Sequence, residues 1–200
     1  MTRETGIINL LEERGQRSKN FFDGEEWRSS RGALIEINWD VSLWTWGVLG
    51  AFKRSAPKML DHIGVQTSVV PRISLLLCSD EKIRALNYQF RGYDKATNVL
   101  SFSSDKIFSR ECNETCSKDL GDIAIAFETV KREACQKKIF FGDHLLHLFT
   151  HGVLHLLGYD HSDDEMAREM EQMEVFLLGL MGVCNPYASL EIKPQKPETL

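Results

Sequence analysis

Apolar residues along the chain recur in two periods, and these divide it into strands and helices. Ala33 to Asn38 alternates, with Ile35 and Ile37 on one face, and predicts a first strand. Trp44 to Ile63 carries Trp46, Leu49, Phe52 and Leu60 near helical spacing and stops at Gly64. Arg72 to Cys78 is an apolar run rich in branched residues, the pattern of a buried strand. Ser79, Asp80 and Glu81 then supply an N-cap and an acidic first turn for a helix through Ile83, Leu86 and Phe90. Val99 to Phe102 predicts a short strand, Ser103 to Lys118 a polar loop, and Asp119 to Ala126 a longer strand. Helices follow over Glu128 to Lys138, Gly142 to Leu157 and Asp163 to Leu180. Interleaved helices with about four strands point to an α+β fold: a single small layered domain with a mixed sheet.

The ends look different from this core. Residues 1–32 are charge-rich, with one apolar patch at Ile7, Ile8, Leu10 and Leu11, and are expected to be a loosely ordered extension with at most a short helix. The domain proper is expected over 33–184, and 185–200, rich in Lys and Pro, as a flexible tail. With 42% hydrophobic and 26% charged residues, the composition is that of a globular domain able to bury its own core. The formal net charge of −5 argues against a sequence-blind coat for nucleic acid, though not against a local basic groove. Lys53, Arg54, Lys131, Arg132, Lys137 and Lys138 are candidates for such a groove, and scattered cations of this kind usually form a solvated face.

Five scattered cysteines, Cys78, Cys112, Cys116, Cys135 and Cys184, do not form a disulfide framework. Cys112 and Cys116, separated by three residues in a polar loop, read as free thiols. The N-terminus lacks the apolar run of a signal peptide, and Val41 to Phe52 is too short and interrupted to span a bilayer, so a cytoplasmic location without a membrane partner is expected.

The chemistry concentrates in FGDHLLHLFTHGVLHLLGYDH, residues 141 to 161, which holds five of the six histidines. At roughly 100° per residue, His144, His147, His151 and His155 fall in a stripe about 80° wide on an otherwise apolar helix. Buried imidazoles need partners, and a metal ion is a shared one. His151 and His155, at i and i+4, present their rings to one side, and Gly158 stands where a left-handed residue ends a helix. That turn brings His161 back as a third ligand, leaving a fourth position open, as catalytic zinc sites do. Imidazoles also suit nickel, copper and iron. His147 stands either behind the ligands or on the cleft wall, and His144 near the helix start. The Met166, Met170, Met173, Leu177 and Leu180 stripe reads as core packing.

The spacing matches the H-E-x-x-H-x-x-G-x-x-H of zinc proteases, yet Gly152 occupies the place of their general-base glutamate. The metal site is protease-like; the chemistry is not.

Residues 151 to 161, HGVLHLLGYDH, resemble the signature of the YbeY family of bacterial rRNA maturation endoribonucleases. Leu86 to Phe102, LNYQFRGYDKATNVLSF, resembles that family's upstream motif, and Leu120, Gly121, Asp122 and Ile123 a third. The likeness runs from about Ile35 to Leu180. It implies a compact α+β domain with a zincin-like site holding one zinc ion per chain on His151, His155 and His161. It also implies an important arginine at Arg91, and action on single-stranded RNA at the 3′ end of small-subunit rRNA and in ribosome quality control, with the small ribosomal subunit and its proteins as partners. Asn98 stands where many relatives carry Asp.

Arg91 either holds a phosphate through its fork of donors or caps the carbonyls ending its helix. Asp160 either orients a ligand or accepts a proton, or serves its own turn. His147 is a candidate proton shuttle. Beside a zinc endoribonuclease stand two other readings: a ribosome-assembly factor with an organising metal, and a metal hydrolase of another substrate.

Overall fold

The computed structural model describes residues 21–40, 42–67, 69–104 and 116–188. In chain order the elements are β1 (Phe21–Arg28), β2 (Leu34–Asp40), α1 (Trp46–Thr67), β3 (Val69–Cys78), α2 (Asp80–Arg91), β4 (Val99–Ser103), β5 (Cys116–Ala126), α3 (Phe127–Lys137), α4 (Phe141–Leu156) and α5 (Asp164–Leu180). The strands form one mixed sheet in the order β1-β2-β3-β5-β4, with β2, β3 and β5 parallel and both edge strands antiparallel to their neighbours. The fold is α+β, as the periodicity predicts.

The sheet has five strands rather than about four. The additional one, β1, lies inside the stretch 1–32 expected to be a loose extension, so the start of the domain moves back to at least residue 21. Its sequence, FFDGEEWR, hides the strand because the register slips between Phe22 and Glu25, which breaks the alternation. Trp27 anchors it: the indole is buried and meets Phe52 edge-on at 5.8 Å between centroids. Residues 1–20, the tail from 189 onward and Cys112 lie outside the described residues.

Alternation along the strands decides what each face of the sheet covers. Ile35, Ile37 and Trp39 on β2 join Ile73, Leu75 and Leu77 on β3 in the larger core, with Leu49, Phe52 and Leu60 of α1 and most of α4. Leu76, Cys78, Leu100, Ala124 and Ala126 point the other way, onto Ile83 and Leu86 of α2. Ser79 caps α2 by accepting from the Lys82 N–H, and left-handed Gly92 closes it.

Helix α4 is the centre of the larger layer, and ten of its sixteen residues are buried. Phe149 meets Phe52 at 5.2 Å, and Phe141 meets Trp44, whose indole N–H donates to the Cys78 carbonyl at 3.2 Å. The helix that carries the histidines is therefore fixed at its start and along its length.

One glycine ties the edge strand down. Gly121 on β5 has φ +127, and a Cβ there would sit 2.2 Å from the Phe102 carbonyl oxygen of β4. Only glycine allows that approach.

Candidate metal centre

The four histidines of the α4 stripe do not share one partner. His144, fully buried, meets Glu133 of α3 through Nε2 at 2.8 Å, and Glu133 also accepts from the Asn98 amide at 3.1 and 3.2 Å. His147 meets Glu174 Oε2 of α5 through Nε2 at 2.9 Å. His151 meets Glu174 Oε1 through Nδ1 at 2.7 Å. The stripe is therefore divided between two carboxylates, Glu133 and Glu174.

His161 is brought to His151 and His155 by the end of the helix. The Gly158 N–H donates to the His155 carbonyl and the Tyr159 N–H to the Leu154 carbonyl, both at 3.0 Å, with Gly158 at φ +91. These two bonds close the helix through a left-handed residue and turn the chain back. The Asp160 carboxylate then accepts from the His161 N–H at 2.8 Å. That bond holds the Asp160 carboxyl below its ordinary range. One ligand-capable atom from each of His151, His155 and His161 lies within 4.8 Å of the others.

Whether this cluster fits a cation follows from its protons. Burial alone would raise the Glu174 carboxyl, but hydrogen bonds from His147, His151 and Tyr187 outweigh it and hold the group at about 2. An ionised carboxylate only accepts, so the proton between it and His151 belongs to His151 Nδ1. A backbone carbonyl also only accepts, so His155 Nδ1, 3.0 Å from the Tyr159 oxygen, carries its proton too. In the neutral rings both Nε2 atoms are then bare lone pairs, and they face each other at 3.1 Å. Two acceptors at that separation call for a shared electrophile. Imidazole nitrogens around a tetrahedral zinc ion stand about 3.3 Å apart at bond lengths of 2.0–2.1 Å. Burial and the neighbouring His151 also push His155 below its ordinary value, toward the neutral ligating form. The residues fit the ion.

The other candidates lie around this cluster or away from it. His147 is behind the His151, His155 and His161 cluster and meets it through Glu174; among the described residues its buried Nδ1 has no partner. Arg91 is exposed at the last turn of α2, which packs on the sheet face opposite α4, and among the described residues no hydrogen bond or ion pair links it to the histidines. Among the described residues it makes no side-chain hydrogen bond or ion pair, and the Gly92 N–H bonds the Tyr88 carbonyl at 3.0 Å. Of the cations considered for a groove, Lys53 pairs with Glu25, and Arg132 lies 3.5 Å from Asp80.

Glu174 and Tyr187 were not legible as site residues. Glu174 sits in line with Met170 and Leu177, and an acid inside an apolar stripe was the available signal. Tyr187 follows Pro186 in the stretch expected to be a flexible tail, and its hydroxyl donates to Glu174 Oε2.

A family model described as Endoribonuclease YbeY matches residues 48–182 of the chain. A protein named endoribonuclease YbeY from Agrobacterium fabrum is 50% identical over 119 residues, which cover 60% of this chain and 69% of that protein. One of the same name from Nitrobacter hamburgensis is 47% identical over 119 residues, covering 60% of this chain and 63% of its own length. A solution structure from Thermotoga maritima matches with a TM-score of 0.44 at 22% identity, covering 78% of this chain and 94% of that one.

Proposed function

Because the chain belongs to the endoribonuclease YbeY family, we propose that it is a zinc-dependent endoribonuclease that cuts single-stranded RNA. We assign it to maturation of the small-subunit rRNA 3′ end and to ribosome quality control, in the cytoplasm, with the small subunit and its proteins as partners. The observation that carries the reading is the pair of Nε2 lone pairs of His151 and His155 facing each other at 3.1 Å, with His161 completing the cluster.

When bound, zinc supplies a Lewis acid for phosphodiester hydrolysis. His151, His155 and His161 hold it, and Glu174 and the Tyr159 carbonyl orient two of the three rings. Asp160 secures the turn that presents His161. His147 acts through Glu174 rather than on substrate. We assign Arg91 to a phosphate of the bound RNA: its guanidinium is exposed, has no partner among the described residues, and offers donors in a planar fork.

The test is cleavage of a single-stranded RNA spanning the small-subunit 3′ end by zinc-quantified protein. Wild type at one zinc per chain should cut, His151→Ala should lose both zinc and cleavage, and Arg91→Ala should keep its zinc and still fail to cut. Binding without cutting by clean wild-type protein would move the reading to an assembly factor. Equal cutting by all three proteins would expose a contaminant.

A further inference from the structure

We propose that Tyr187, on the segment after α5, is a positioning residue of the metal centre: through Glu174 it holds His151 in its ligating orientation. The proposal rests on reading His151, His155 and His161 as metal ligands.

Glu174 is 1% exposed and stands on α5 beside Met170, Leu177 and Leu178, so its charge is kept only by donors aimed at it. Its two oxygens divide the work. Oε1 accepts from His151 Nδ1, while Oε2 accepts from His147 Nε2 and from the Tyr187 hydroxyl. The last torsion of a glutamate is soft and roughly two-fold, so a single bond to His151 would leave the carboxylate free to swing. Two donors on Oε2, from different elements, fix its plane and therefore the direction in which Oε1 pulls His151.

The chain builds this contact deliberately in sequence. α5 closes through left-handed Gly182, with the Val183 N–H bonded to the Leu178 carbonyl at 3.0 Å, which reverses the chain. Asn185 Oδ1 then accepts from the Tyr187 N–H at 2.8 Å, setting a tight turn around Pro186. The Tyr187 ring meets the His147 ring edge-on, with centroids 5.8 Å apart at 82°. The family match ends at residue 182, before Asn185, Pro186 and Tyr187.

A histidine ligand whose other nitrogen donates to a well-held anion binds its metal more tightly, and loss of such an outer partner costs about 10–100-fold in affinity. The experiment is zinc affinity by chelator competition, with the visible spectrum of the cobalt-substituted protein and the thermal midpoint of the metal-free protein measured alongside. Tyr187→Phe keeps the ring against His147 and removes only the hydroxyl. We expect its zinc Kd to rise about tenfold, with a shifted cobalt spectrum. In a Glu174→Gln background the same change should add almost nothing, because the path is already broken. Tyr187→Phe binding zinc as tightly as wild type overturns the proposal, whether or not the metal-free midpoint falls. Wild type that binds no zinc removes the metal reading itself, a result distinct from the previous one.

Discussion

Gly152 lies against Ser101: a Cβ at residue 152 would stand 3.0 Å from the Ser101 hydroxyl oxygen and 3.1 Å from the Ile123 side chain. At position 152 helix α4 packs tightly against strands β4 and β5. It is also where a zinc protease carries its general base, so the missing carboxylate has a steric cause as well as a chemical one. Gly152→Glu would crowd this contact and bury a charge, costing about 3 kcal/mol or more. We expect a lower thermal midpoint and no peptide hydrolysis. A stable variant that hydrolyses peptides would show that the helix has room to move off the sheet.

Much of this arrangement is written in local pattern, and what is not depends on distant partners. The left-handed Gly158, the buried helix around it and the meeting of His151, His155 and His161 follow from spacing within one stretch of chain. The strand β1 does not, because its slipped register is fixed by pairing with β2 and by Trp27 reaching the core. Glu174 is a single acid in a Met and Leu stripe, and only the packing of α5 on α4 reveals that it faces two histidines. Tyr187 is further removed, since nothing within a proline-containing tail tells which way the chain turns.

Asn98 is matched to Glu133, which accepts from its amide while also holding His144. An aspartate there would withdraw a donor and set a second carboxylate beside the first. Asn98→Asp should therefore cost about 1–3 kcal/mol at neutral pH, read as a shift in the urea midpoint. The loss should shrink as the pH is lowered toward 4 and the new pair takes up a proton. A neutral effect at pH 7 would mean that Glu133 is not held where it meets Asn98.

His144 gives a pH dependence whose sign is fixed by its burial. Burial pushes its proton affinity down, and the hydrogen bond to Glu133 only partly offsets this, so the folded protein binds a proton less readily than the unfolded chain. Below the ordinary histidine value of about 6.5, the unfolded state takes up a proton that the folded state refuses, and stability is lost as the pH is lowered. Above that value both states are neutral at His144, and its contribution is flat. Gln places a donor where His144 carries Nε2–H, so His144→Gln keeps a partner for Glu133 while removing the titration. In metal-free protein, the wild-type urea midpoint should drop more steeply between pH 7 and 5 than that of the variant. His155, shifted the same way, is present in both proteins and cancels in the comparison. Parallel slopes would mean that His144 is protonated as easily in the fold as outside it.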